Sequence, residues 1–474
     1  MTTLKNSSCT HVHQPRLSVA HQGAVPPSAI SCGTASGTNL PEEQANDPAS
    51  KMNVGSDKTW SLDQCKKRQD ELLKAYENAI KSGKVKRTQS ALWAYLRSYA
   101  VRVAAAHCVI EDLKSDQRSR GRMATEDPHV VAKQIKWNEP IKEPAYLWFK
   151  KKSSGGHRPI FDLGVVRRTA CEVLRPILAA HLEPQPFQCD VRGKRGMQAA
   201  IRFAKRAILN GHQWVEHIDI ENHFKSFDRK KLYTVLPLPK AVIDYVVVAR
   251  DIPVVSYGDG PILTASVLRE ARRGIPQGSP ISSLVAQFVT SKLARSHVGK
   301  VSMTNFADNF CVLGNSASDV HSATEALGAA IAALPGGNFI VKHVASGHLK
   351  DGLEFLGHRL KLDGDKLVVA PSEPNEKKYR LKLREYEHRL GHLDPAAAKN
   401  HPSAVAGVWN LTGNMWVFAK SWVGAFSECT TLDGELDAVK IVATEHLRLA
   451  GLDFSDIEGY ENPDAEWDGD LYES

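Results

Sequence analysis

Apolar positions along the chain fall into distinct regimes. Residues 1 to about 55 show little periodicity and are rich in Ser, Thr, Pro, Gly and His, which predicts a disordered tail over 1–55. From Trp60 to about Leu113 the spacing is helical. Leu72, Leu73, Tyr76, Ala79 and Ile80 line one face, and Leu92, Tyr95, Leu96, Tyr99 and Val103 repeat the pattern after a Ser82-Gly83 break. Two amphipathic helices are expected there, followed by a polar linker from about Lys114 to Asp127. Residues 145 to 360 mix strand-like runs, glycine turns and helical stretches. Beyond Pro371, Glu376–Tyr386 reads as a strongly basic helix, and Trp409, Trp416 and Trp422 read as core positions of the segment that follows.

Within the mixed region, Trp214–Ile220 reads as a short strand with Asp219 near its end, and Glu221–Asp228 as a turn into a helix. Far downstream, Met303–Leu313 reads as a hairpin with Ala307-Asp308-Asn309 at the tight turn, where Asp and Asn tolerate unusual backbone angles. Two aspartates at adjacent strand ends can hold two hard cations roughly 3.5–4 Å apart, a geometry that activates a 3′-hydroxyl and stabilises a leaving pyrophosphate. All-oxygen ligands favour magnesium, with manganese as a substitute. Between the two acids lies Arg273–Ser283, punctuated by glycine and proline and containing Gln277-Gly278. It runs into a helical stretch, and a flat glycine surface there would let a base pair approach the backbone.

Composition narrows the class without deciding it. The chain has 474 residues, enough for two to four structural units, and is 42% hydrophobic and 24% charged, which is globular. Its eight cysteines are scattered with no CxxC pair, so neither a zinc site nor a disulfide framework is indicated and a reducing, cytoplasmic setting is expected. No apolar run is long enough to span a bilayer, so no membrane partner is expected. The net charge is +8 although Asp453 to Ser474 carries acids and no Lys or Arg, so the body is more basic than the total and suits a polyanionic partner.

The order strand-Asp219, then Pro276-Gln277-Gly278-Ser279-Pro280, then Phe306-Ala307-Asp308-Asn309 resembles palm motifs A, B and C of reverse transcriptases, whose usual motif C is YADD. Upstream, Trp148–Asp162 is similar to the family's fingers hairpin, where a Lys and an Arg seven residues later grip the incoming triphosphate; Lys151 and Arg158 have that spacing. Gly352–Gly357 resembles the primer-grip hairpin, and 185 to 201, with Gly193-Lys194-Arg195-Gly196, the stretch before motif A. Gln89 to Glu111 resembles the N-terminal region of group II intron reverse transcriptases, and bacterial defence-associated and CRISPR-associated enzymes are similar in this sense. The resemblance covers roughly residues 60 to 425.

It implies an α+β right-hand polymerase with a helical N-terminal extension. The expected divisions are a tail over 1–55, the extension over 56–127, fingers and palm over 128–365, a helical thumb-like region over 366–450 and an acidic tail over 451–474. It implies RNA-directed DNA synthesis, serving antiviral defence or a group II intron-like element, with two Mg2+ ions held by Asp219, Asp308 and the Ile220 carbonyl. Lys151, Arg158, Phe224, Gln277 and Gly278 would contact the nucleotide, with Phe224 beneath the sugar as a block to a ribose 2′-hydroxyl. Partners would be an RNA template, including a dedicated non-coding RNA, a DNA or RNA primer and deoxynucleoside triphosphates, with oligomeric state left open. Asn309 departs from the pattern: an amide can offer a cation its oxygen but no charge, so it is expected to tune the field at the primer terminus. No Lys-Thr signature follows Lys342, so no general acid is assigned. The rival reading is a catalytically impaired RNA-binding, maturase-like or scaffold protein.

Overall fold

The computed structural model describes residues 60–115, 127–152, 155–191, 196–248, 250–258, 260–293 and 301–460. The expected tail over 1–55, most of the polar linker, Gly193-Lys194-Arg195 and the acidic residues from 461 lie outside the described residues.

The chain opens with helix α1, Leu62–Lys81, started by a capping box in which Ser61 and Gln64 bond each other's backbone N–H. The next helical run, expected as one element, is two: α2, Val85–Arg97, and α3, Tyr99–Ser115, with Ser98 extended between them. At that break the Trp137 indole N–H donates to the Leu96 carbonyl at 2.6 Å, one of the carbonyls left without a helical partner. A partner 41 residues away cannot be read from local periodicity. Helix α4, Pro128–Gln134, follows.

Strands β1, Ala145–Lys151, and β2, His157–Asp162, form an antiparallel hairpin; β4, Val254–Ser256, adds parallel to β1. Helix α5, Val165–Ala180, packs against α3, and α6 is Gly196–Leu209. The central sheet contains β3, Trp214–Ile220; β5, Ser302–Phe306; β6, Asn309–Gly314; and β7, Val341–His348, in the order β5-β6-β3-β7. Short helices α7, His223–Ser226, and α8, Arg229–Val235, follow β3, with Asp228 capping α8 through Lys231 N–H. Helices α9, Ala265–Ala271, and α10, Ser282–Thr290, flank the proline-glycine loop, and α11, Ala317–Ala332, packs against the sheet. Strands β8, Leu353–Phe355, β9, His358–Asp363, and β10, Lys366–Pro371, form a third sheet.

Strand alternation divides the central sheet between two cores. Ile218, Ile220, Phe310 and Val312 belong to the main core, whereas Val215, Cys311 and Leu313 pack with α6 and the β8–β10 sheet. A third core holds the C-terminal helices α12, Glu373–His392, α13, Pro402–Ala425, and α14, Glu435–Leu449. Trp416 and Trp422 are buried there, with Tyr379 stacked on Trp422 at 3.9 Å, while Trp409 is half-buried against Tyr460. Glu428 ties this helical unit to α6 by ion pairs with Arg202 and Lys205 at 2.6 and 2.9 Å. No helix among the described residues is long and apolar enough to cross a membrane.

Candidate active site

Asp219 and Asn309 are direct cross-strand partners on β3 and β6, and the β5–β6 turn consists of Ala307 and Asp308. The Ile220 N–H donates to the Asp308 carbonyl at 3.0 Å, so the backbone carrying one acid is bonded to the backbone beside the other. The left-handed residue in this turn is Ala307, with φ 54°, not the Asp or Asn expected from the sequence. The turn is secured from outside: the buried Asn305 amide donates to the carbonyls of Ala307 and Asn309 at 2.9 and 3.1 Å. Asn309 is already the first residue of β6.

Burial, and then the charge of Asp308, raise the Asp219 carboxyl from its ordinary 3.8 to about 7, against the opposing pull of Lys342 and Arg158. Asp219 Oδ1 is buried and finds no hydrogen-bond partner among the described residues. An acid so placed needs either a proton or a cation. The oxygen-only pair therefore fits a hard dication, with the remaining coordination left to backbone carbonyl, water and substrate phosphates. Among the described residues, no group of three or more His, Cys, Asp or Glu is arranged to hold a metal by itself.

Two nearby groups carry no motif in the sequence. Asp190 sits against the same turn: burial raises its carboxyl to about 6, the Asp308 charge adds to this, and hydrogen bonds from the Ala307 N–H and Gln287 oppose it. It gets there because residues 187–189 bond β5 edge-on, through Cys189 N–H to Asn305 O and Asn305 N–H to Phe187 O. Lys342 is the β7 residue directly across from Asp219. Its sequence signal is the lysine-bearing stretch from 342 to 350, which lacks the Lys-Thr pair.

The β1–β2 hairpin changes one expectation. Its register sets Lys150 opposite Arg158 and Lys151 opposite His157, so Lys151 and Arg158 project from opposite faces of the ribbon. Lys152 lies among the site charges instead: burial lowers its pKa, Arg158 and Lys225 add to the lowering, and Glu221 opposes it. Arg158 itself acts on Asp219. A seven-residue spacing finds a pair of cations but not the face each one takes.

The loop before α10 also differs in its reason for glycine. Gly278 has φ 91°, and a Cβ there would press on the Phe161 carbonyl and Ile160, while Phe161 N–H donates to the Gln277 carbonyl at 2.8 Å. The missing side chain lets the loop dock on β2 rather than leaving a flat face for a base pair. Gln277 Oε1 is buried without a hydrogen-bond partner among the described residues. Gly274, φ 71°, sits where a Cβ would collide with the Phe224 carbonyl, and Ile275 N–H donates to that carbonyl at 3.0 Å. The loop thus fixes the backbone height of Phe224, whose ring is half-buried beside the main core. A cleft of about 540 Å³ lined by Glu221, Lys225, Arg229, Arg250 and Arg273 adjoins this region; Asp219 and Asp308 do not line it.

Residues 149–360 match the family described as reverse transcriptase (RNA-dependent DNA polymerase). No curated protein matches the chain. Among solved structures it is similar to an apo telomerase from Candida tropicalis truncated from its C-terminal domain, at 10% identity and TM-score 0.33, over 56% of this chain and 60% of that one. It is also similar to a telomerase from Candida albicans in complex with a fragment of telomeric RNA, at 11% identity and TM-score 0.33, over 71% of this chain and 66% of that one. The chain thus spans less than two thirds of either telomerase chain, and likeness at that TM-score supports neither fold nor activity. The family match falls on the stretch that holds the paired acids, the β1–β2 hairpin and the docked glycine loop: residues 149–360 match a reverse transcriptase domain.

Proposed function

We propose that this chain copies RNA into DNA at a site centred on Asp219 and Asp308. The observation that carries the reading is the meeting of those two acids, from positions 89 residues apart, with one carboxyl raised to about 7 and one oxygen lacking a partner. Asp219, Asp308 and the Ile220 carbonyl would hold two Mg2+ ions, replaceable by Mn2+. Bound there, the ions supply activation of the primer 3′-hydroxyl and stabilisation of the leaving pyrophosphate.

The remaining work falls to the chain. Arg158, with Lys152 and at longer reach Lys151, binds the triphosphate of the incoming deoxynucleotide. Phe224, its backbone held by Ile275, sits beneath the sugar and excludes a 2′-hydroxyl, and Gln277-Gly278, docked on β2, contacts the nucleotide. In this reading β1, β2 and β4 are fingers, the central sheet is the palm, and α12–α14 are a thumb-like unit whose basic face follows the template–primer backbone. Residues 56–127 form the N-terminal extension. The setting is a bacterial defence or group II intron-like system, so sequencing the RNA that copurifies with the protein should return one dedicated transcript; a random RNA sample counts against that setting.

Primer extension on an RNA template tests the catalytic assignment. Asp219→Ala and Asp308→Ala should each lower incorporation by several orders of magnitude with melting behaviour unchanged, because each removes ligand charge. Substantial extension by either mutant in magnesium contradicts the assignment. A natural protein that binds RNA but extends nothing supports the maturase-like or scaffold reading instead.

A further inference from the structure

Position 309 is where this chain departs from the family's usual aspartate, and the surroundings of Asn309 explain what the amide does. On β3, His217 faces the same side as Asp219; on β6, Asn309 is the partner of Asp219 and the diagonal neighbour of His217. His217 Nε2 donates to Asn309 Oδ1 at 2.9 Å, and Asn309 Nδ2 donates to Asp308 Oδ1 at 3.1 Å. The orientation of the amide is fixed by these neighbours. Turning it over would set its oxygen against the Asp308 carboxylate and lose both bonds in their present sense. His217 is in turn held by packing: it is buried, with its ring edge-on to Phe355 at 5.2 Å and 86°.

We propose that His217 and Asn309 form a positioning relay that fixes the Asp308 carboxylate for cation binding, so that Asn309 acts through Asp308 rather than as a ligand. The proposal rests on the reading of Asp219 and Asp308 as the cation site. A ligand carboxylate with a fixed hydrogen-bond donor keeps its geometry between binding events. The relay replaces the charge of a second hairpin acid with orientation of the first. His217 and Asn309 are thus positioning residues that function as a unit: an amide at 309 is oriented by the ring at 217.

The experiment measures Mn2+ binding to the full chain by electron paramagnetic resonance without nucleic acid, and titrates magnesium in primer extension. His217→Phe keeps a ring against Phe355 and removes the donor; His217→Gln keeps a donor. Asn309→Ala leaves His217 packing in place, and Asp308→Ala is the reference. His217→Phe and Asn309→Ala should weaken Mn2+ binding and raise the magnesium needed for half-maximal activity by roughly 10-fold, the lower end for outer partners of a metal ligand. KM for deoxynucleotide at saturating magnesium should stay unchanged, and His217→Gln should behave like the natural protein. Folded Asn309→Ala or His217→Phe with natural Mn2+ affinity overturns the relay, as does His217→Gln impaired as deeply as His217→Phe. Natural Mn2+ affinity in Asp308→Ala overturns the cation site itself. Loss in Asp308→Ala without loss in the other two overturns only the relay.

Discussion

At the scale of single residues, proximity was legible wherever residue type and spacing carry it. Asp219 and Asp308 were readable because an acid near a strand end and an acid in a hairpin turn are visible in sequence, and the strands that pair them form where alternation put them. The faces of side chains were less legible. Lys151 and Arg158 have the expected spacing, yet the register turns them apart and leaves Lys152 beside Arg158. Asp190 was hidden because its neighbour Ala307 is 117 residues away and the contact depends on 187–189 joining β5. This division predicts steady-state kinetics. Arg158→Ala and Lys152→Ala should each raise KM for deoxynucleotide about 10-fold or more, since a charge-assisted contact contributes about 1.5–3 kcal/mol. Lys151→Ala should raise it less. A large effect at Lys151 with none at Lys152 would mean the hairpin twists on binding nucleotide, contrary to the register described.

At the scale of elements, the hairpins and short strands follow the reading of turns and alternation, and the departures have nonlocal causes. The break between α2 and α3 is where Trp137 bonds Leu96, and the glycine of the docked loop answers to β2. Helix α7 carries a feature that periodicity does not disclose: His223 is buried among Phe224, Phe227 and Phe339, with Nδ1 lacking a hydrogen-bond partner among the described residues. Burial lowers its pKa from 6.5 to about 4. Because the folded-state value lies below the unfolded one, the neutral ring contributes stability fully present above about 6.5, and that stability is lost as pH falls toward 4. A shift of this size corresponds to roughly 3 kcal/mol at about 1.4 kcal/mol per unit. Denaturant unfolding at pH 7 and pH 4.5 should therefore show a smaller loss for His223→Leu than for the natural protein. Equal losses would place the acid sensitivity elsewhere.

At the scale of the molecule, the buried residues among those described form four clusters, and the site lies on the sheet face turned toward α6 and the β8–β10 sheet. Template-directed synthesis of DNA at Asp219 and Asp308, as proposed above, is the central claim. It is most directly tested by single-nucleotide incorporation on a defined RNA template, with each deoxynucleotide and ribonucleotide offered opposite each template base in magnesium. The account predicts that the template base dictates which nucleotide is added, that deoxynucleotides are strongly preferred, and that removing magnesium with a chelator stops addition. Addition independent of the template base, or no addition by the folded protein with either Mg2+ or Mn2+, would contradict it.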